Sequence, residues 1–143
     1  MILEKNSIYA ITSSILHNSI YMAKQAYSNT YQNIYDSSVN LKFGRHVGLT
    51  TAMIGWLEDT LPTTNETALY VVTNNNMATM IIHQFNTCSK QVRVEAAWKD
   101  MNHLRGMLFD YIIVDPASCI NDELISNVVL MCSKPDTLLI NIG

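Results

Sequence analysis

The sequence predicts an α/β fold: an open parallel sheet flanked by helices, with an N-terminal helical addition. Three observations carry this. Short apolar, β-branched runs alternate along the chain with stretches of helical periodicity, the order expected of strand–helix–strand units. The run Phe109–Val114 (FDYIIV) is unbroken, as in a strand covered on both faces. The 143 residues are 48% hydrophobic and 15% charged, which suits one globular domain and excludes disorder.

Residues 1–40 are expected to form a helical segment packed on the core, and 41–143 the core itself, one domain overall. In the first segment Ile8, Ile11, Ile15, Leu16, Ile20, Met22, Ala23, Ala26 and Tyr27 recur at helical spacings, predicting one or two amphipathic helices. Tyr21, Tyr27, Tyr31 and Tyr35 continue the spacing, and a face packed on the core is the expected role. Val39–Phe43 reads as the first strand. A helix opens at Thr50-Thr51, carries Ala52, Met53, Trp56 and Leu57 on its apolar stripe, and is expected to end near Glu58–Pro62.

Ala68–Thr73 reads as a buried strand. Asn74–Asn76 then forms a loop and helix start, because Asn favours caps and turns. Met77 to Phe85 supply the next helix, and Val92 and Val94 a short strand. A short helical stretch is expected around Ala96–Asn102. Phe109–Val114, a helix at Asp122–Cys132 and a strand at Thr137–Ile142 complete the pattern.

The net charge of −3 gives no basic surplus for nucleic acid, although a local patch stays open. Cys88, Cys119 and Cys132 include no CxxC pair, so they read as buried small hydrophobes in a reducing compartment. The four histidines lack metal-ligand spacing. Charge and polar residues interrupt the N-terminal apolar run, so no signal peptide is expected. No window reaches about 18 apolar residues, so no membrane span or membrane partner is expected. The expected location is the cytoplasm, that of the host cell for a viral protein.

In an open α/β sheet, ligands bind beyond the carboxyl ends of the strands. Two features fall there. Gly44-Arg45-His46-Val47-Gly48-Leu49-Thr50 is a glycine-bounded loop leading from a strand into a helix, and Asp115 ends the strand FDYIIV. Backbone N–H groups feeding a helix N-terminus favour phosphate, and an Asp at a neighbouring strand end can hold Mg²⁺ through its hydration shell. Together they outline a P-loop-like nucleotide site. Gly44, Arg45, Gly48, Thr50 and Thr51 would contact nucleotide, and Thr50 and Asp115 would serve Mg²⁺. Mg-ATP is the implied cofactor.

The outline departs from the P-loop pattern G-x-x-x-x-G-K-[ST]. Three residues separate Gly44 from Gly48, one short, and Leu49 stands where Lys belongs. Pro116 follows Asp115, where ATPases of this broad class often place a Glu that activates water. These losses predict weak or absent catalysis, because positioning and charge supply nearly all of phosphoryl transfer.

At these residues the chain resembles the ATPase domain of the large terminase subunit, the DNA-packaging motor of tailed phages. GRHVGLTT (Gly44–Thr51) is similar to that family's shortened, Arg-bearing loop except at Leu49. LRGMLFDYIIVDP (Leu104–Pro116) is similar to its second motif except at Pro116. YVVTNNNMATMII (Tyr70–Ile82) and TLLINIG (Thr137–Gly143) fall where the family has its second strand and its coupling strand. The resemblance covers about 41–143 and implies a degenerate P-loop NTPase-like domain. Such a domain would act as a viral binding or regulatory protein, with a phage or host protein, or DNA, as partner.

Two alternatives stand beside it. One is an active Mg-ATPase related to DNA packaging, with Lys42 replacing the lost Lys and a Glu supplied from elsewhere, such as Glu123. The other is a small inhibitory or interaction protein with no nucleotide role. Arg105 is expected to tie a loop to the sheet.

Overall fold

The computed structural model describes residues 5–27, 38–41, 48–97 and 101–143. Five strands form one all-parallel sheet: β1 (Ser38–Leu41), β2 (Ala68–Val72), β3 (Val92–Ala96), β4 (Phe109–Val114) and β5 (Ser133–Ile142). Their order across the sheet is β1-β5-β4-β2-β3. Among the described residues, four helices flank it: α1 (Lys5–Tyr27), α2 (Leu49–Thr64), α3 (Asn75–Ile82) and α4 (Asp122–Cys132).

Strand alternation divides the core into two layers. Tyr70, Val72, Tyr111, Ile113, Leu138 and Ile140 point to one face, where they meet Leu16 and Ile20 of α1, Met53, Trp56 and Leu57 of α2, and Ile81 of α3. Leu69, Val71, Ile112, Val114 and Leu139 point to the other, against Val128, Val129 and Cys132 of α4, with Met101 and Leu104. The central strands β2 and β4 are covered on both faces, so an unbroken apolar run is what they require. Burying a side chain such as Ile113 contributes about 1.5–3 kcal/mol.

Several elements differ from the sequence reading. Among the described residues of the first segment a helix spans Lys5–Tyr27, as expected, but its buried line is narrower than predicted. Thr12, Leu16 and Ile20 are buried, whereas Ile11, Ile15 and Met22 are exposed. Tyr21 is 64% exposed, so it does not pack on the core. The side chain of Tyr27, and Tyr31 and Tyr35, lie outside the described residues. β1 begins at Ser38, so the boundary drawn at 40/41 falls inside a strand. Of the helical stretch expected around 96–102, Ala96 instead ends β3, Asn102 opens a 3-10 turn that runs to Leu104, and residues 98–100 lie outside the described residues. Of the cysteines, Cys88 and Cys132 are buried, but Cys119 is exposed.

α2 runs past Pro62 to Thr64. Proline has no N–H for the carbonyl four residues back, here that of Glu58. The Thr87 hydroxyl lies 3.3 Å from this Glu58 carbonyl but closer to the Glu58 carboxylate, which takes its single proton, and the helix continues to Thr64 all the same. Asn65, at φ 56°, closes α2, its N–H donating to the Leu61 carbonyl at 3.0 Å. α3 begins as predicted: Asn74 caps it by accepting from the Met77 N–H at 2.9 Å. α4 begins in the same way, with Asn121 accepting from the Glu123 N–H at 2.8 Å.

Candidate functional site

Gly48, Thr50 and Asp115 lie at the carboxyl edge of the sheet. Lys42, Gly44 and Arg45 lie outside the described residues; Gly48, Leu49, Thr50, Thr51, Asp115 and Pro116 lie within them. Gly48 is the N-cap of α2, with φ 74° and ψ 27°. This left-handed conformation favours glycine, and a Cβ there would sit 3.2 Å from Cδ2 of Tyr9 on α1. Leu49 is buried in the core and serves as a packing residue.

Thr50 and Asp115 meet. The Thr50 hydroxyl donates to Asp115 Oδ2 at 2.7 Å, joining the first turn of α2 to the end of β4. Tyr70 of β2 donates its phenol hydroxyl to the same oxygen at 2.6 Å. Asp115 is only 4% exposed. Burial pushes its carboxyl above the ordinary range, and the two hydroxyl donors oppose that rise without cancelling it. The Tyr70 phenol is driven far up by burial and by the neighbouring Asp115 charge. Tyr70 therefore stays a protonated donor.

Thr51, the remaining loop candidate, is exposed on the first turn of α2 and is not brought to Asp115. Pro116 follows Asp115 through a cis peptide bond and offers no carboxylate. Gly143, which follows β5, closes the edge. Its N–H donates to Leu41 at 3.0 Å and its carbonyl accepts from Ser118 at 3.1 Å. A Cβ on Gly143 would meet Pro116 at 2.9 Å, so only glycine fits there. Glu123 lies across the carboxyl edge, in a cleft on the α4 side with Thr73 and Asn127. Arg105 lines a second cleft beside Met101 and Leu130.

The donor set at Thr50 and Asp115 is oxygen only, which suits Mg²⁺ in kind. Thr50 would supply the hydroxyl and Asp115 would orient it. Among the described residues no group of three His, Cys, Asp or Glu side chains is arranged to hold a metal. No described helix is long and apolar enough to cross a membrane.

The sequence reading missed Tyr70, taken only as part of a buried strand. The available signal was chemical: a tyrosine inside an apolar strand needs a partner for its hydroxyl, and the nearest strand-end carboxylate is Asp115. Comparison of the chain with protein-family models, with curated proteins and with solved structures finds no match.

Proposed function

We propose that the chain is a degenerate P-loop-like domain, of the terminase-like kind its motifs resemble, that works by binding and not by turnover. In this reading it is a viral regulatory protein whose partner is a phage or host protein. The observation that supports it is the Thr50–Asp115 hydrogen bond. It joins the helix that follows the glycine-bounded loop to the strand-end carboxylate, the pair a nucleotide–Mg²⁺ site needs side by side. The loss of catalysis rests on the same place. Leu49 brings no charge, Pro116 brings no base, and Asp115 is buried with Tyr70 and Thr50 on one of its oxygens.

The test is a phosphate-release assay with Mg-ATP, paired with calorimetry of Mg-ATP and Mg-ADP. No release above buffer is expected. Turnover that is abolished by Asp115→Ala would overturn the reading and favour the ATPase alternative. Heat of binding that disappears in Asp115→Ala would mark a nucleotide sensor. No heat at millimolar nucleotide would leave the fold as a scaffold for a protein partner.

A further inference from the structure

The carboxyl edge carries a second recess, on the opposite side of the sheet from Asp115. The connection after β2 leads to α3 on the α2 side, and the connection after β4 leads to α4 on the other side. Two adjacent strands whose connections part in this way leave a crevice between them. It contains a cleft of about 360 Å³, walled by Thr73 beyond β2, Ala97 beyond β3 and the segment Cys119–Asn127. This volume falls within the range of small-molecule sites.

Among the described residues, the lining has one sign of charge. Glu123 supplies a carboxylate, and Asn127, one helical turn later, a carboxamide on the same face of α4. Both residues are exposed, and neither side chain makes a hydrogen bond or ion pair among the described residues. Asn121 uses its side-chain oxygen to cap α4, which leaves its NH₂ to turn elsewhere. Ile120 and Leu124 add apolar wall. Among the described residues, no Lys, Arg or His lines the cleft.

The cleft also touches the N-terminus of α4, where the helix dipole is worth about half a positive charge. Asp122 and Glu123 in that first turn bring two full negative charges, so the local field is negative. An anion is disfavoured here.

We propose that this cleft binds a small organic cation, an alkylammonium or guanidinium on a short apolar stem, with Glu123 as counter-ion. The charged head pairs with Glu123 and takes a further acceptor from the Asn127 carboxamide. The stem lies on Ile120 and Leu124.

Amide-resolved NMR titration of the whole chain with agmatine tests this. Saturable shifts are expected at Thr73, Ala97, Glu123 and Asn127, with affinity falling about tenfold in Glu123→Gln, the scale of one charge-assisted hydrogen bond. Asn127→Asp adds a second carboxylate and is expected to tighten binding. Neither 1-butanol nor inorganic phosphate is expected to reproduce the shifts. Absence of saturable shifts with agmatine, unchanged affinity in Glu123→Gln, or a stronger response to phosphate would each overturn the proposal.

Discussion

Two carboxylates tie α2 to its surroundings, Asp115 beside its first turn and Glu58 on its own later half. Asp115 accepts from two hydroxyls, those of Thr50 and Tyr70. Glu58 accepts from the backbone N–H groups of Asn86, Thr87 and Cys88 and from the Thr87 hydroxyl. Burial acts on both, raising the carboxyl. At Asp115 burial wins and the carboxyl stays above its ordinary range. At Glu58 burial is slight, the four donors together outweigh it, and the carboxyl is held below its ordinary range. Donor number and depth of burial, weighed against each other, decide whether an anchoring carboxylate stabilises the fold as an anion.

The neighbours follow suit. Cys88, buried beside Glu58, has its thiol pushed up to about 12 by burial first and by the Glu58 charge second, so it packs as a neutral side chain. Tyr70 beside Asp115 behaves in the same way.

The largest effect should come from Glu58→Ala. It removes the acceptor that three N–H groups and the Thr87 hydroxyl now share, and with water able to replace it only at the exposed ones it is expected to cost about 2–3 kcal/mol at neutral pH. Chemical denaturation would read this. Because the folded carboxyl is lowered, its stabilisation is present above the unfolded carboxylate value and is lost as pH falls through the folded one. The gap between wild type and Glu58→Ala should therefore narrow in acid.

Tyr70→Phe comes next. It leaves Asp115 buried with one hydroxyl donor and is expected to cost about 1–2 kcal/mol, read by denaturation at pH 7. It should also raise the Asp115 carboxyl further.

Asp115→Asn should have the smallest effect and the opposite sign. The amide oxygen can still accept from Thr50 and Tyr70, while the buried charge is gone. A gain of up to about 1 kcal/mol is expected at pH 7. The folded Asp115 carboxyl is raised, so wild-type stability is fullest below the unfolded value and declines as pH rises through the folded one. The advantage of Asp115→Asn should then vanish on acidification, which melting curves across the carboxylate range would detect.

Much of this arrangement was legible in the residues. β4 and α4 lie at Phe109–Val114 and Asp122–Cys132, where the sequence places them, because FDYIIV suits a strand covered on both faces. The meeting of Thr50 with Asp115 was expected from the strand-end rule. The hydroxyl of Tyr70, on the same oxygen, was not, since it depends on which strand lies next to β4, and local pattern does not encode strand order. The anchoring of α2 through Glu58 was hidden for a similar reason: the N–H groups of Asn86, Thr87 and Cys88 that its carboxylate accepts from lie 28 to 30 residues away in sequence. The exposed Ile11, Ile15 and Met22 were misplaced because an apolar stripe shows that a face exists, not how much of it a partner element covers.

The most direct measurement is a carbon-13 NMR titration of the side-chain carboxyls of Asp115 and Glu58 in the same sample. The account predicts that Asp115 titrates above the ordinary carboxylate range and Glu58 below it, with Tyr70→Phe moving Asp115 alone. An Asp115 that titrates at or below the ordinary range would mean an anion accessible to solvent, metal or substrate. That result would contradict a buried anchor and restore the case for a catalytic carboxylate.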